Sequence, residues 1–266
     1  MAAKQFLRRL GIEQPIIQGP MGGGPSTPEL VAAVSNAGGL GSLGAAYLTP
    51  GQITEAIKQI AALTDRPFNV NLFAGAWQTA NPVDPAPILA LLAEIHDVLG
   101  LPSPAVPVVP PDPFDAQLEA VLAARPPIFS FTFGIPGKDA MARIRSSGAA
   151  ILGTATTVEE GRMLAEAGVD AIVAQGGEAG AHRGTFAGPF EAAMAPTLDL
   201  VAGLAAAVRL PVIASGGIMD GRAIRAVLAR GAAAAQLGTA FLVCPESGAP
   251  AAHKRAILAE RGDRTV

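Results

Sequence analysis

One rhythm constrains this chain more than any other feature. Short apolar runs alternate with amphipathic, alanine-rich stretches, eight times over. The runs are Pro15–Gln18, Gly39–Leu43, Phe68–Phe73, Ile128–Phe133, Ala149–Thr154, Ala171–Gln175, Pro211–Ser215 and Ala233–Leu237. Most are continuously apolar rather than alternating, as strands buried on both faces of a parallel sheet are. The stretches between them carry helix punctuation. Thr27 with Pro28 opens a helix to Asn36, and Gly38-Gly39 closes it. Thr49-Pro50 opens Gln52–Leu63, Thr157 opens Val158–Ala167 before Gly168, and Asp220 opens Arg222–Arg230 before Gly231. Eight strand–helix pairs in about 250 residues predict an α/β fold of the (β/α)8 barrel class. A doubly wound sheet fits less well, because its phosphate motif belongs at the first turn. Here the phosphate-like turns come late.

Composition agrees with a large buried core. The chain has 266 residues and is 50% hydrophobic and 15% charged, against about 25% charged in ordinary soluble domains. Such a chain buries about three quarters of its unfolded surface and needs no covalent staple. The net charge of −3, with scattered basic residues, excludes the basic stripe of a nucleic-acid binder. The one cysteine, Cys244, cannot form an internal disulfide and reads as a buried, inert thiol. No apolar run approaches the length of about 18 residues that a membrane span needs, and the first ten residues have no signal-peptide core. A cytoplasmic protein without nucleic-acid or membrane partners is expected.

Residues 80–127 break the rhythm. They hold nearly half of the 23 prolines, with a helical stretch at Ile88–Val98. The rest reads as an extended loop, an insertion in a single barrel domain spanning residues 1–266. It is either a cover over the barrel's C-terminal face or a plain surface connection.

Four places carry chemistry. Ser215-Gly216-Gly217 ends the seventh run and Gly238-Thr239 ends the eighth. Barrels often seat a phosphate between these two loops, on backbone N–H groups that glycine leaves accessible and beside the positive end of the following helix. The alternative is two tight turns. After the sixth run comes Gln175-Gly176-Gly177-Glu178-Ala179-Gly180-Ala181-His182-Arg183-Gly184. It offers an amide, a carboxylate, an imidazole and a guanidinium at one strand end. His182 is the one histidine of three on such a loop, and imidazole exchanges protons near neutral pH. Its alternative is an exposed spectator. Gln18-Gly19-Pro20-Met21-Gly22 after the first run could pass close to a planar ligand, with Met21 as a polarizable edge. Asn69 and Asn71 point to the same side of the third run, toward a heterocycle or toward hydrogen bonds inside the barrel. Gly39-Leu40-Gly41-Ser42-Leu43-Gly44 fits the dinucleotide pattern G-x-G-x-x-G. It fails in context, because a helix precedes it and the motif itself reads as strand. No metal-ligating cluster is evident.

Together these residues resemble the nitronate monooxygenase family, formerly 2-nitropropane dioxygenases, in its class I bacterial branch. The likeness runs through Pro15–Met21, Thr27–Gly41, Phe68–Phe73, Phe129–Gly134, Glu178–Gly184 and Gln236–Phe241. It implies a TIM barrel that binds FMN non-covalently. Asn71, Gln175, Gly180, Gly217, Gln236, Leu237, Gly238 and Thr239 would hold the flavin, with Met21, Gly22 and Ala181 beside it. Ser215 and Gly216 would cradle its phosphate. His182 matches the family's active-site histidine, the base toward a neutral nitroalkane or the anchor of an anionic nitronate. The implied reaction oxidises alkyl nitronates, such as propionate 3-nitronate, with O2 to a carbonyl compound and nitrite. A homodimer is compatible with it. Relatives continue beyond the position of Val266 with a segment that contributes tyrosines to the substrate pocket. This chain has one tyrosine, Tyr47, and Phe114 is expected where relatives carry a tyrosine. The pocket is therefore expected to be altered or incomplete. Two other functions share parts of the pattern: an NAD(P)H-dependent FMN reductase of the enoyl-thioester or quinone type, and a non-enzymatic FMN-binding protein.

Overall fold

The computed structural model of the chain describes residues 3–74, 84–106, 108 and 111–259. It falls into two compact units, Met1–Gly75 with Phe114–Val266, and Ala76–Pro113. The first unit contains eight parallel strands: β1 Ile16–Gln18, β2 Gly41–Gly44, β3 Phe68–Phe73, β4 Ile128–Thr132, β5 Ala150–Ala155, β6 Ala171–Gln175, β7 Val212–Ser215 and β8 Ala234–Leu237. Each pairs with its sequence neighbour, and β1 pairs with β8. An Ile17–Leu40 bridge joins β1 to β2 and closes the ring. The expected (β/α)8 barrel is what forms; six apolar runs contain their strands, and β2 and β5 extend one residue beyond theirs, to Gly44 and Ala155.

Among the described residues the first unit has ten α-helices. They are α1 Ala3–Leu10, α2 Pro28–Asn36, α3 Pro50–Leu63, and, after α4 of the second unit (Ala86–Leu99), α5 Phe114–Ala124, α6 Lys138–Ser146, α7 Val158–Ala167, α8 Thr197–Ala207, α9 Gly221–Ala229, α10 Thr239–Leu242 and α11 Ala251–Ala259. The threonine caps act as the sequence indicates. Thr27, Thr49 and Thr157 accept from the N–H groups of Leu30, Gln52 and Glu160.

Two cores arise from strand alternation. Outward residues such as Val70, Leu72, Phe129, Phe131, Ile172 and Val212 pack under the helices. Inward residues Ile17, Leu40, Ile128, Leu152, Val173 and Ile213 fill the N-terminal half of the barrel, which α1 plugs with Phe6 and Leu10. Further along the same strands the interior turns polar, with Ser42, Asn69, Asn71 and Ser130 buried there. The apolar half supplies cohesion and leaves the C-terminal half for chemistry.

Two expectations need correction. The stretch from 80 to 127 is not loop outside its one helical segment. Residues 114–124 form α5, whose Phe114, Leu118 and Val121 are buried. Pro113 stands just before this helix, where proline is tolerated, so it marks a start rather than a continuing loop. Within Ala76–Pro113, α4 covers the expected Ile88–Val98 and ends on Gly100 at φ 66. Positions 80–83, 107, 109 and 110 of that stretch lie outside the described residues. As the sequence indicates, Asp220 opens the helix after Gly217, and its carboxylate caps α9. Cys244 is half-buried rather than buried. Burial, ahead of nearby Glu246, raises its pKa, so it remains a thiol at neutral pH.

The glycines of Gly39–Gly44 have a packing cause. A Cβ on Gly41 would stand 2.0 Å from the Val31 carbonyl oxygen, and one on Gly44 would stand 2.6 Å from the Gly22 nitrogen. They let α2 and the first loop lie against β2.

Candidate active site

The loop after β6 uses most of its polar groups on itself. Gln175 donates through Nε2 to the His182 carbonyl at 2.9 Å and accepts the Gly184 N–H through Oε1 at 2.7 Å. The Glu178 carboxylate takes the N–H and the hydroxyl of Thr197 at 2.8 and 2.7 Å. Arg183 donates to the carbonyls of Gly176 and Ala193. Its Nε is buried without a partner. Burial lowers the Arg183 pKa, opposed by the Glu160 and Glu178 carboxylates. A further buried carboxylate, Glu160, grips the loop's far end through the N–H groups of Phe186 and Ala187 at 2.6 and 2.9 Å. So the amide, carboxylate and guanidinium that the sequence places at the mouth bind the loop in shape. His182 is the group presented outward, and it is exposed.

Aromatic rings surround it. Phe73 and Phe133 stand 6.0 and 5.9 Å from the His182 ring, centroid to centroid, and 4.8 Å from each other. Tyr47 completes the group, with its hydroxyl 3.4 Å from His182 Nε2. Phe133 (φ 69) and Ala181 (φ 62) occupy the left-handed region, which is unfavourable for residues with a Cβ and clusters at functional sites. Neither the rings nor Tyr47 stood out in the sequence as site residues.

The phosphate-like turns lie on the adjacent strand ends. Gly216 and Gly217 have φ of 124 and 65, conformations that glycine alone adopts without strain. Ser215 Oγ accepts from Gln236 Nε2 at 3.3 Å, linking β7 to β8. Gly238 begins α10 without a side-chain cap, and its Cβ position is open, with nothing within 4 Å. Thr239 is exposed at the start of that helix. Leu237 differs: its side chain is in the outer core, and its carbonyl accepts the Gly19 N–H at 2.8 Å.

The remaining candidates are placed as follows. Asn71 donates to Ser130 Oγ at 2.9 Å and Asn69 to Ser130 and Ser42 at 2.8 and 3.2 Å, the barrel-interior alternative. Met21 is half-buried, its N–H bonded to Ser26 Oγ. Gly22 faces the Tyr47 ring, which its Cβ would meet at 2.9 Å. Gly180 is exposed two residues before His182. Phe114 is buried and lines a cleft of about 570 Å³ with Ala74, Lys138 and Asp139, without His182.

Comparison with known proteins adds an independent finding. A family model described as nitronate monooxygenase matches residues 4–266. A nitronate monooxygenase of Pseudomonas aeruginosa is 46% identical over 98% of this chain and 75% of its own length. One from Paraburkholderia phytofirmans is 44% identical over 99% of this chain and 72% of its own. Among solved structures, nitroalkane oxidase from Streptomyces ansochromogenes superposes with a TM-score of 0.86 at 44% identity, covering 98% of this chain and 73% of that one. FabK from Thermotoga maritima superposes with a TM-score of 0.75 at 30% identity, covering 96% and 68%.

Proposed function

This chain belongs to the nitronate monooxygenase family, and from that premise we propose that it binds FMN and oxidises alkyl nitronates, such as propionate 3-nitronate, with O2 to a carbonyl compound and nitrite. The observation that carries the reading is the outward presentation of His182. Its loop spends the neighbouring polar side chains on internal bonds and leaves the imidazole exposed beside three rings.

The donor set suits a flavin phosphate. Ser215 supplies a hydroxyl, Gly216 and Gly217 supply backbone conformations open to close approach, and Gly238 leaves space at the uncapped start of α10. Asn71, Gln236 and Thr239 are the polar groups on the strand ends that would face the rest of the cofactor, with Met21, Gly180 and Ala181 lining it. Leu237 would contribute through its backbone alone. Gln175 would act through the loop it closes. When bound, FMN supplies the redox chemistry. The protein's own contribution is to hold the substrate's nitro group at His182. There the imidazole accepts a proton from the carbon of a neutral nitroalkane, or donates a hydrogen bond to an anionic nitronate. Phe73 and Phe133 offer the substrate's alkyl part an apolar wall and keep water from that side.

A cytoplasmic location and a homodimer accompany this reading. No described helix is long and apolar enough to cross a membrane, and the mass in solution tests the dimer. The central test is the visible spectrum after FMN reconstitution, followed by oxygen uptake with propionate 3-nitronate. A flavin spectrum and nitrite formation are expected, and a protein that takes up no FMN overturns the proposal. Rapid bleaching of the flavin by NADH without oxygen would favour the reductase alternative.

A further inference from the structure

We propose that Tyr47 is the positioning residue of His182: its hydroxyl holds Nε2 and so fixes the orientation of the ring and which nitrogen carries the proton. The inference rests on the proposed role of His182. Tyr47 lies just after β2 and His182 after β6, 135 residues apart, yet the two polar atoms are 3.4 Å apart. That separation lies at the long end of hydrogen-bond reach. Of the three rings around His182, the phenol alone can hydrogen-bond to it. An imidazole's second nitrogen takes its state from the partner of the first.

The rest of the site is built to hold the phenol there. Phe73 meets the Tyr47 ring edge-on at 5.5 Å and 87°. Gly22 also abuts the ring: a Cβ there would stand 2.9 Å from Tyr47 Cδ2. The first loop therefore carries glycine at this position because the phenol occupies the space. Gly44, whose Cβ would strike the Gly22 backbone, lets that loop approach β2 closely enough to do so. Tyr47 is 49% exposed, so its placement is not a by-product of core filling.

The test is Tyr47→Phe, which keeps the ring and removes the hydroxyl. For a neutral nitroalkane, kcat is expected to fall about 10- to 100-fold, the scale of a misplaced catalytic group, with KM within about threefold. For a preformed nitronate, which needs no proton removed and uses His182 only as a hydrogen-bond donor, kcat should fall less than for the neutral nitroalkane, and FMN content should be unchanged. A second readout needs no turnover. In flavin-free protein labelled with 15N-histidine, the His182 ring signals, identified by their loss in His182→Ala, should move in Tyr47→Phe. Wild-type kcat on both substrates together with unmoved His182 signals overturns the role of Tyr47. If His182→Ala itself turns over neutral nitroalkane undiminished, the base role of His182 fails instead, and the ring signals still decide the Tyr47 contact.

Discussion

Gln175 and His182 are joined by a single side-chain amide. Nε2 of Gln175 reaches the His182 carbonyl at 2.9 Å while Oε1 holds the Gly184 N–H at 2.7 Å. The amide closes the loop onto the end of β6 and sets where the imidazole starts. Gln175→Ala removes both bonds from a half-buried site. Turnover should fall about 10- to 100-fold, with a thermal midpoint within a few degrees of wild type. Steady-state kinetics and a melt separate the two effects. A melt that collapses along with activity would mean the amide holds the fold rather than the site.

Glu160 is fully buried and accepts four hydrogen bonds: from the N–H and hydroxyl of Thr156 and from the N–H groups of Phe186 and Ala187. Glu160→Ala strands those donors, and each unsatisfied buried group costs about 1–3 kcal/mol. With four such donors, a loss of about 4 kcal/mol or more in urea unfolding is expected. Proteolysis should then cut first between 184 and 190, the segment that Glu160 ties down. An unchanged urea midpoint would sink this account.

Two glycine replacements should behave in opposite ways. Gly41→Ala drives a Cβ to 2.0 Å from the Val31 carbonyl oxygen, a backbone clash that no rotamer relieves. It should cost about 3 kcal/mol or leave the protein insoluble. Gly238→Ala meets nothing within 4 Å and should alter stability by less than about 0.5 kcal/mol. It does fill the space assigned to the flavin phosphate, so FMN affinity should drop about tenfold or more. Equal FMN titration curves for Gly238→Ala and wild type would move the phosphate elsewhere.

Asp220 gives a pH dependence of known sign. Its carboxylate accepts the Ala223 N–H at 2.8 Å as the cap of α9. That bond, with smaller help from Arg222 and Arg225, lowers its pKa. A folded value below the unfolded one means that the stabilisation is complete above the unfolded value, 3.8 for a free side chain. It is lost as pH falls through the lowered folded value. Urea midpoints of wild type and Asp220→Ala should differ by a constant amount at neutral pH and converge in acid. A gap that widens on acidification contradicts the cap.

Much of the fold was legible because its signals are local. Most strand runs are dominated by apolar residues and bounded by Gly or Pro, and the threonine caps sit beside the helices they start. The misses were of two kinds. In α5 the prolines around residues 102–113 outweighed the spacing of Phe114, Leu118 and Val121. In α1 the charged residues of a short helix hid Phe6 and Leu10, whose burial has no meaning until a barrel exists for them to plug. At the site, His182 stood out through its glycine-rich surroundings. The duties of Gln175, Glu178 and Arg183 did not, because a residue's type tells what it can bond and not which way it faces.

The sequence by itself determined the eightfold repeat, the spans of the strands, the family and the loop that bears His182. All of these depend on order along the chain. Tertiary structure alone decided that Tyr47 meets His182, that Gly22 makes room for Tyr47, and that Glu160 holds a loop more than 20 residues away. Closing eight parallel strands into a ring gathers every strand's C-terminal end at one mouth. Residues separated by a hundred or more positions become neighbours there. Their distances are set by the curvature of the barrel, which no local stretch of sequence specifies.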